Sequence, residues 1–322
     1  MLSRSRRGGS PWTGLGVVIA KETADHLGGI RMVLIEAIVF LIALVLAWFS
    51  TASIRDNIGE SPFVFLFLFQ ITPEWIPFSF IGMVSLVTPV VAIALGFDAI
   101  NAEFNQRTMS RLLAQPIYRD ALLLGKFLAR LLALTIALVS LWLLVLGIGL
   151  LRLGLPPSTE EMVRMLGFLV ATIAYGGVWL ALAVMFSVLF RAPATAALAG
   201  LGTWLSFALF WSVVSRVLAT LIAGPPEDIF GPRLAYLQFV QFLDRLSPIK
   251  LFADIAVAML QPEKRFLGPV LVSQLQGALF GSPLPASQSF ALIWPQLTGL
   301  VAATILIFAI AYVFFQRQEI RA

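Results

Sequence analysis

"GFDAINAEFNQRTMSRLLAQPIYRDALLLGK", Gly96 to Lys126, is the stretch from which the architecture can be read. It carries seven charges (Asp98, Glu103, Arg107, Arg111, Arg119, Asp120 and Lys126) in a 322-residue chain that is only 12% charged. Apolar runs stand on either side: residues 75–97 and 131–151 hold no charge at all. A helix of about 20 apolar residues crosses the hydrocarbon core of a bilayer, and both runs reach that length. The stretch therefore reads as a polar insert joining two membrane crossings.

The rest of the chain follows the same rule. Hydrophobic residues make up 59% and the mean hydropathy is +0.93, against about 45–50% apolar residues in soluble domains. Further uncharged runs cover 37–54, 165–190 and 192–215. A longer one, 266–316, is divided by "GSPLPASQS" at 281–289. The expectation is an all-α polytopic membrane protein, one domain over 1–322, with six transmembrane helices. These run over 31–54, 77–97, 127–151, 164–190, 194–221 and 290–315. "RAP" at 191–193 makes a tight turn between the fourth and fifth. The apolar piece between Pro62 and Pro73 is too short to cross and is expected on the outer leaflet. An outer helical loop, 223–289, holds two amphipathic stretches split at Ser247-Pro248.

Charge sets the orientation. With six crossings, the side shared by the termini, the insert and Arg191 carries thirteen basic and six acidic residues; the other carries nine and ten. Basic residues are retained in the cytoplasm, so both termini and the insert are expected to be cytosolic in a cytoplasmic (inner) membrane. Residues 14–30 read as an amphipathic surface helix, with Val17, Ala20, Ala24 and Leu27 on one face and Lys21, Glu22 and Asp25 opposite. The apolar piece "GLGVVIA" after the basic start is too short for a signal peptide.

Much chemistry is excluded. The chain has no cysteine and one histidine, His26, so thiolate catalysis and two-histidine metal sites are not available. Gly125-Lys126 resembles the end of a phosphate-binding loop, but position 120, where that motif needs glycine, is Asp. No basic run with interleaved aromatics marks a nucleic-acid surface. The spans are almost free of ionisable groups: Glu36 is the only candidate for a coupling charge, and it sits near the inner end of the first span, where a charge is cheap, while Arg216 lies near the outer end of the fifth and can snorkel. Aromatic residues are expected mostly at lipid or at the interface. Small residues in the spans (Gly149, Gly176, Gly200 and others) suit close helix contacts, between subunits or within one.

The insert itself has a helix-forming piece, 98–114, in which Glu103 and Arg107 have i, i+4 spacing. Pro116 ends it, and Arg119 and Lys126 lead into the third span. Loops joining helices usually need about 2–8 residues, so one of this length is an interaction element. The order Glu103, Thr108, a leucine-rich stretch, Pro116-x-x-Arg119 and Gly125-Lys126 resembles the type-2 ABC exporter permeases. That group includes the nitrous-oxide-reductase maturation and gliding-motility permeases. Arg107 stands where the family commonly has glycine.

The resemblance implies a membrane subunit that binds no cofactor and pairs with a second permease copy. It implies separate ABC ATPase subunits that bind ATP and Mg. Helix 98–114 would be the coupling helix, with Glu103, Arg107, Thr108, Arg111 and Pro116 at the ATPase. Arg31, Arg119 and Lys126 would anchor at lipid headgroups, and an extracytoplasmic accessory protein is a further expected partner. Two other readings stand beside it: a scaffold or mechanotransducer driven by the same type of ATPase, and an intramembrane enzyme.

Overall fold

The computed structural model describes residues 14–57, 63–72, 77–106, 119–228, 231–232, 234–264, 267 and 283–317. The chain opens with α1 (Leu15–Leu27), α2 (Ile30–Asn57), α3 (Val64–Gln70), α4 (Phe80–Gly96) and α5 (Asn101–Asn105). Then come α6 (Arg119–Leu153), α7 (Thr159–Leu189), α8 (Pro193–Leu209) and α9 (Trp211–Ala223). After a two-residue antiparallel pair, Glu227–Asp228 with Gly231–Pro232, follow α10 (Leu234–Asp244), α11 (Pro248–Leu260) and α12 (Ala286–Arg317). Helices α2, α4, α6, α7 and α12 are long and apolar enough to cross a bilayer. The α8–α9 pair adds a sixth crossing if it counts as one bent span. This is an all-α polytopic membrane protein.

Helix α7 is the most enclosed of the spans, with α4, α11 and α12 packed around it. Lipid tails are as apolar as the helices they surround, so close packing and polar bonds must hold such a bundle together. Gly176 shows how: a Cβ there would lie 2.7 Å from Leu134 of α6 and 3.0 Å from Thr88 of α4. Gly149 seats Phe65 of α3, and Gly200 seats Ile93 of α4, in the same way. These small residues therefore serve contacts within one subunit. A run of rings, Phe80–Phe69–Phe168–Phe252–Tyr175–Trp179, leads from the start of α4 past the middle of α7, with Tyr175 stacked on Phe252 at 4.5 Å. Those aromatics lie in the protein interior, contrary to the expectation that they face lipid.

Three further expectations change. Helix α3 does not rest on the leaflet: Phe65, Leu66, Leu68 and Phe69 are buried between α2, α4, α7 and α11. The fifth span is not continuous, because α8 and α9 meet at 56° across Phe210 with neither proline nor glycine at the break. Trp211 donates to the Leu243 carbonyl at 3.1 Å and Ser215 to Asp244 at 2.6 Å, which hold α9 against α10. Finally, α11 is a core helix, with Phe252, Ile255, Ala258 and Met259 buried. The split at Ser247-Pro248 falls as expected, with Pro248 in the first turn.

Candidate functional site

The side bearing α1 and α5, called inner here after the charge pattern, is a junction of ion pairs. It begins with length. At about 1.5 Å per residue the 35 residues of α6 reach about 52 Å, well beyond a core of about 30 Å, so its first turns project past the apolar zone. Helix α1 lies against that projection. A Cβ on Gly125 would come 2.7 Å from Val18 Cγ1, so glycine is what admits α1 at this distance. One turn after Val18, Glu22 meets two cations one turn apart on α6.

Lys126 is 2% exposed, and its ammonium lies 2.8 Å from Glu22 Oε1 and 3.1 Å from Glu103 Oε1. Arg130, 4% exposed, reaches Glu22 Oε2 at 3.2 Å and donates from Nε to the Leu95 carbonyl at 2.9 Å. That carbonyl belongs to the last turn of α4, where no backbone donor follows in the helix. Two cations and two carboxylates thus close a neutral, nearly dry cluster on three helices and the end of a fourth. Burial pushes the Glu22 carboxyl up, but Lys126, with its hydrogen bond, and Arg130 outweigh that and hold it below its ordinary value. Burial drives His26 the other way for a base: with Arg130 close by, its pKa falls from 6.5 to about 4, and the imidazole is neutral at neutral pH.

Helix α5 is fixed from other sides as well. Ser187 of α7 accepts from the Ile100 and Asn101 amides at 2.9 and 3.2 Å. Asn105 donates to the Arg191 carbonyl at 3.1 Å, in the turn between α7 and α8. Arg31 of α2 pairs with Asp98 at 2.7 Å in the turn before α5. Farther along the same side, Asp120 accepts from Tyr312 at 3.0 Å and from Gln316, which ties α6 to the end of α12.

The outer side carries a second charged center of another kind. Arg164 of α7 has no exposed surface. It donates to the Ala258 and Met259 carbonyls at 3.4 and 3.2 Å, to the Leu284 carbonyl, to Ser289 at 3.1 Å, and to Glu160. Glu161 accepts from Phe65 N at 2.7 Å while closing a capping box with Ser158.

Several predicted residues move. Lys126, expected at the headgroups, is buried because two carboxylates of its own chain surround it. Arg31 stays exposed but is engaged by Asp98. Glu103 turns partly inward to Lys126. The helix expected from residue 98 begins only at Asn101, after a turn over 97–100. Arg107, Thr108, Arg111 and Pro116 lie outside the described residues, as does the side chain of Arg119 at the first position of α6. In α1, Val17, Ala20 and Ala24 of the expected apolar face are exposed, as a face laid on lipid would be, and Leu27 is half-buried, while Glu22, expected on the polar face, turns into the protein. Glu22, Arg130, Ser187 and Arg164 were missed. Lys126 and Arg130, two cations one turn apart at the mouth of a span, were the signal that carboxylates must come from elsewhere. Among the described residues no group of three or more acidic or histidine side chains could hold a metal ion.

Comparison with known proteins shows the family of the chain. The chain is 31% identical to the probable ABC transporter permease protein NosY of Pseudomonas aeruginosa over 196 residues, covering 59% of this chain and 62% of that protein. It is 27% identical over 306 residues to the probable ABC transporter permease protein NosY of Stutzerimonas stutzeri, covering 94% of this chain and 97% of that one. The family described as ABC-2 family transporter protein matches residues 17–320. The chain belongs to the ABC-2 transporter family, as a permease-type membrane subunit.

Proposed function

We propose that this permease works as a pair with a second permease copy, exports its substrate, and takes its work from separate ATPase subunits that dock on segment 98–114. Glu103, Arg107, Thr108, Arg111 and Pro116 are the proposed docking residues, and ATP with its Mg ion binds in the ATPase, not here. The supporting observation is the anchoring of α5. Its start and end are bonded to α7 and the turn after it, and its Glu103 to α6, with α1 clamped onto the same Lys126. A push on the segment following residue 106 would therefore reach α1, α6 and α7 together. Charge on the segment supplies orientation at the contact more than affinity.

The test is co-purification of the full chain from its native membranes. The wild type should carry an ATPase with a phosphate-binding loop, and Arg111→Glu should lose it while keeping its own thermal stability. An ATPase retained in full by Arg111→Glu, with unchanged coupling to transport, contradicts the docking assignment.

A further inference from the structure

Helix α5 and the start of α6 flank the proposed docking residues, and each is bonded to a neighbor. Upstream, α5 meets α7 directly, through the Ser187 hydroxyl. Downstream, Asp120, the second residue of α6, accepts at Oδ1 from the Tyr312 hydroxyl at 3.0 Å and from Gln316 Nε2. Tyr312 and Gln316 stand one turn apart at the inner end of α12. Two turns farther into α6, Phe127 meets Phe308, with ring centroids 4.8 Å apart.

Helix α12 is in turn fixed to α7. It packs mainly on α7 and α11. A Cβ on Gly167 would fall 2.9 Å from the Phe290 ring, and one on Gly177 would fall 3.4 Å from Thr304 Oγ1, so two α7 glycines admit α12 at close range. At the outer end Ser289, fully buried, accepts from Arg164 at 3.1 Å. From Ser289 to Tyr312 the helix is unbroken, about 35 Å long at 1.5 Å per residue. The described flanks of the docking segment therefore both bear on one body, α7 with α12. The Glu103–Lys126–Glu22 contacts lead away from that body to α1. A load on the segment does work on α1 only if the body beneath it does not give.

We infer that Asp120 is a positioning residue for coupling: it pins the start of α6 to α12, so that a push on the docking segment reaches Lys126 and Glu22 instead of swinging α6 away from the bundle. Helices α7 and α12 are then the fixed frame of the movement. This rests on the docking reading for its purpose, and its test separates the two.

The first arm uses the full chain alone, in phosphatidylcholine nanodiscs, and reads hydrogen exchange. Asp120→Ala, and separately Tyr312→Phe with Gln316→Leu, should each lower the protection of the α12 amides from Phe308 to Gln316 about tenfold, the scale of one charged hydrogen bond. Combining all three substitutions should add nothing further. Asp120→Asn keeps the accepting oxygen and should stay near wild type. The second arm adds ATP to the complex with the co-purified ATPase. Asp120→Ala should keep the ATPase and its hydrolysis rate, and lose the ATP-dependent exchange change that wild type shows in α1. A wild type that brings down no ATPase counts against docking, whereas the first arm judges the Asp120 contact by itself. Unchanged α12 protection in Asp120→Ala, an Asp120→Asn that behaves like it, or a full α1 response to ATP in Asp120→Ala overturns the assignment.

Discussion

The inner and outer ends of this bundle are both held by buried charge, but by different partners. Inside, Lys126 and Arg130 meet the side chains of Glu22 and Glu103, and Arg130 in addition caps the Leu95 carbonyl at the end of α4. Outside, Arg164 and Glu161 meet mainly backbone: the carbonyls ending α11 and the amide opening α3. Side-chain pairs can exchange partners when helices shift by a rotamer. A guanidinium capping a helix end cannot release it without leaving carbonyls unsatisfied in an apolar setting. We propose that the Glu22–Lys126–Glu103 pairs are the ones able to exchange partners, and that the Arg164 contacts stay closed.

The largest effect should come from the outer end. Arg164→Ala strands several carbonyls and Glu160, and should cost about 3–5 kcal/mol, the range for breaking a buried charged contact. Loss of monodisperse protein, or a large drop in thermal midpoint, is the expected readout. Lys126→Met should cost less, about 1.5–3 kcal/mol, because Glu22 keeps Arg130. Adding Glu103→Gln to it, which neutralizes the other carboxylate facing that ammonium, should recover part of the loss. An additive double variant would show that the two side chains do not act as a pair.

Gly125→Ala comes next. It forces a methyl into Val18, and overpacking of this kind costs about 1–3 kcal/mol. Val18→Ala in the same chain should relieve it. If it does not, α1 is not seated on α6 as described.

The smallest effect is pH dependence at α1. The folded-state pKa of Glu22 and of His26 is below its ordinary value. Stability from such groups is present above the ordinary pKa and is lost as pH falls toward the folded one. The hydrogen-exchange protection factors of α1, taken relative to the intrinsic rate at each pH, should therefore fall as pH drops from 6.5 toward about 4 for His26, and further once Glu22 protonates. The outer start of α7 should change little over the same range. An equal response at both ends would erase the contrast.

Much of the fold was readable because membrane crossings announce themselves by what they lack. Uncharged runs located the spans, Pro248 marked the entry to α11, and the turn at 191–193 joined α7 to α8. What escaped depended on distant partners. The inward phase of Glu22 is set by cations 104 and 108 residues away. Arg164 passed unnoticed at the outer start of the fourth span, since its carbonyls lie 94 and 95 residues ahead. The break at Phe210 has no local cause in proline or glycine; its bonds run to α10. Gly125-Lys126 was recognized as a motif, while its physical sense, a seat for Val18 and a bridge between two carboxylates, needed α1 in place.

Hydrogen exchange on the complex of this chain with its co-purified ATPase, with and without ATP, tests the central claim most directly. Exchange should change with ATP in α5 and in the facing turns of α1 and α6, and stay constant around Arg164 and the end of α11. A response confined to the outer end, with the Glu22–Lys126–Glu103 cluster silent, would contradict the account.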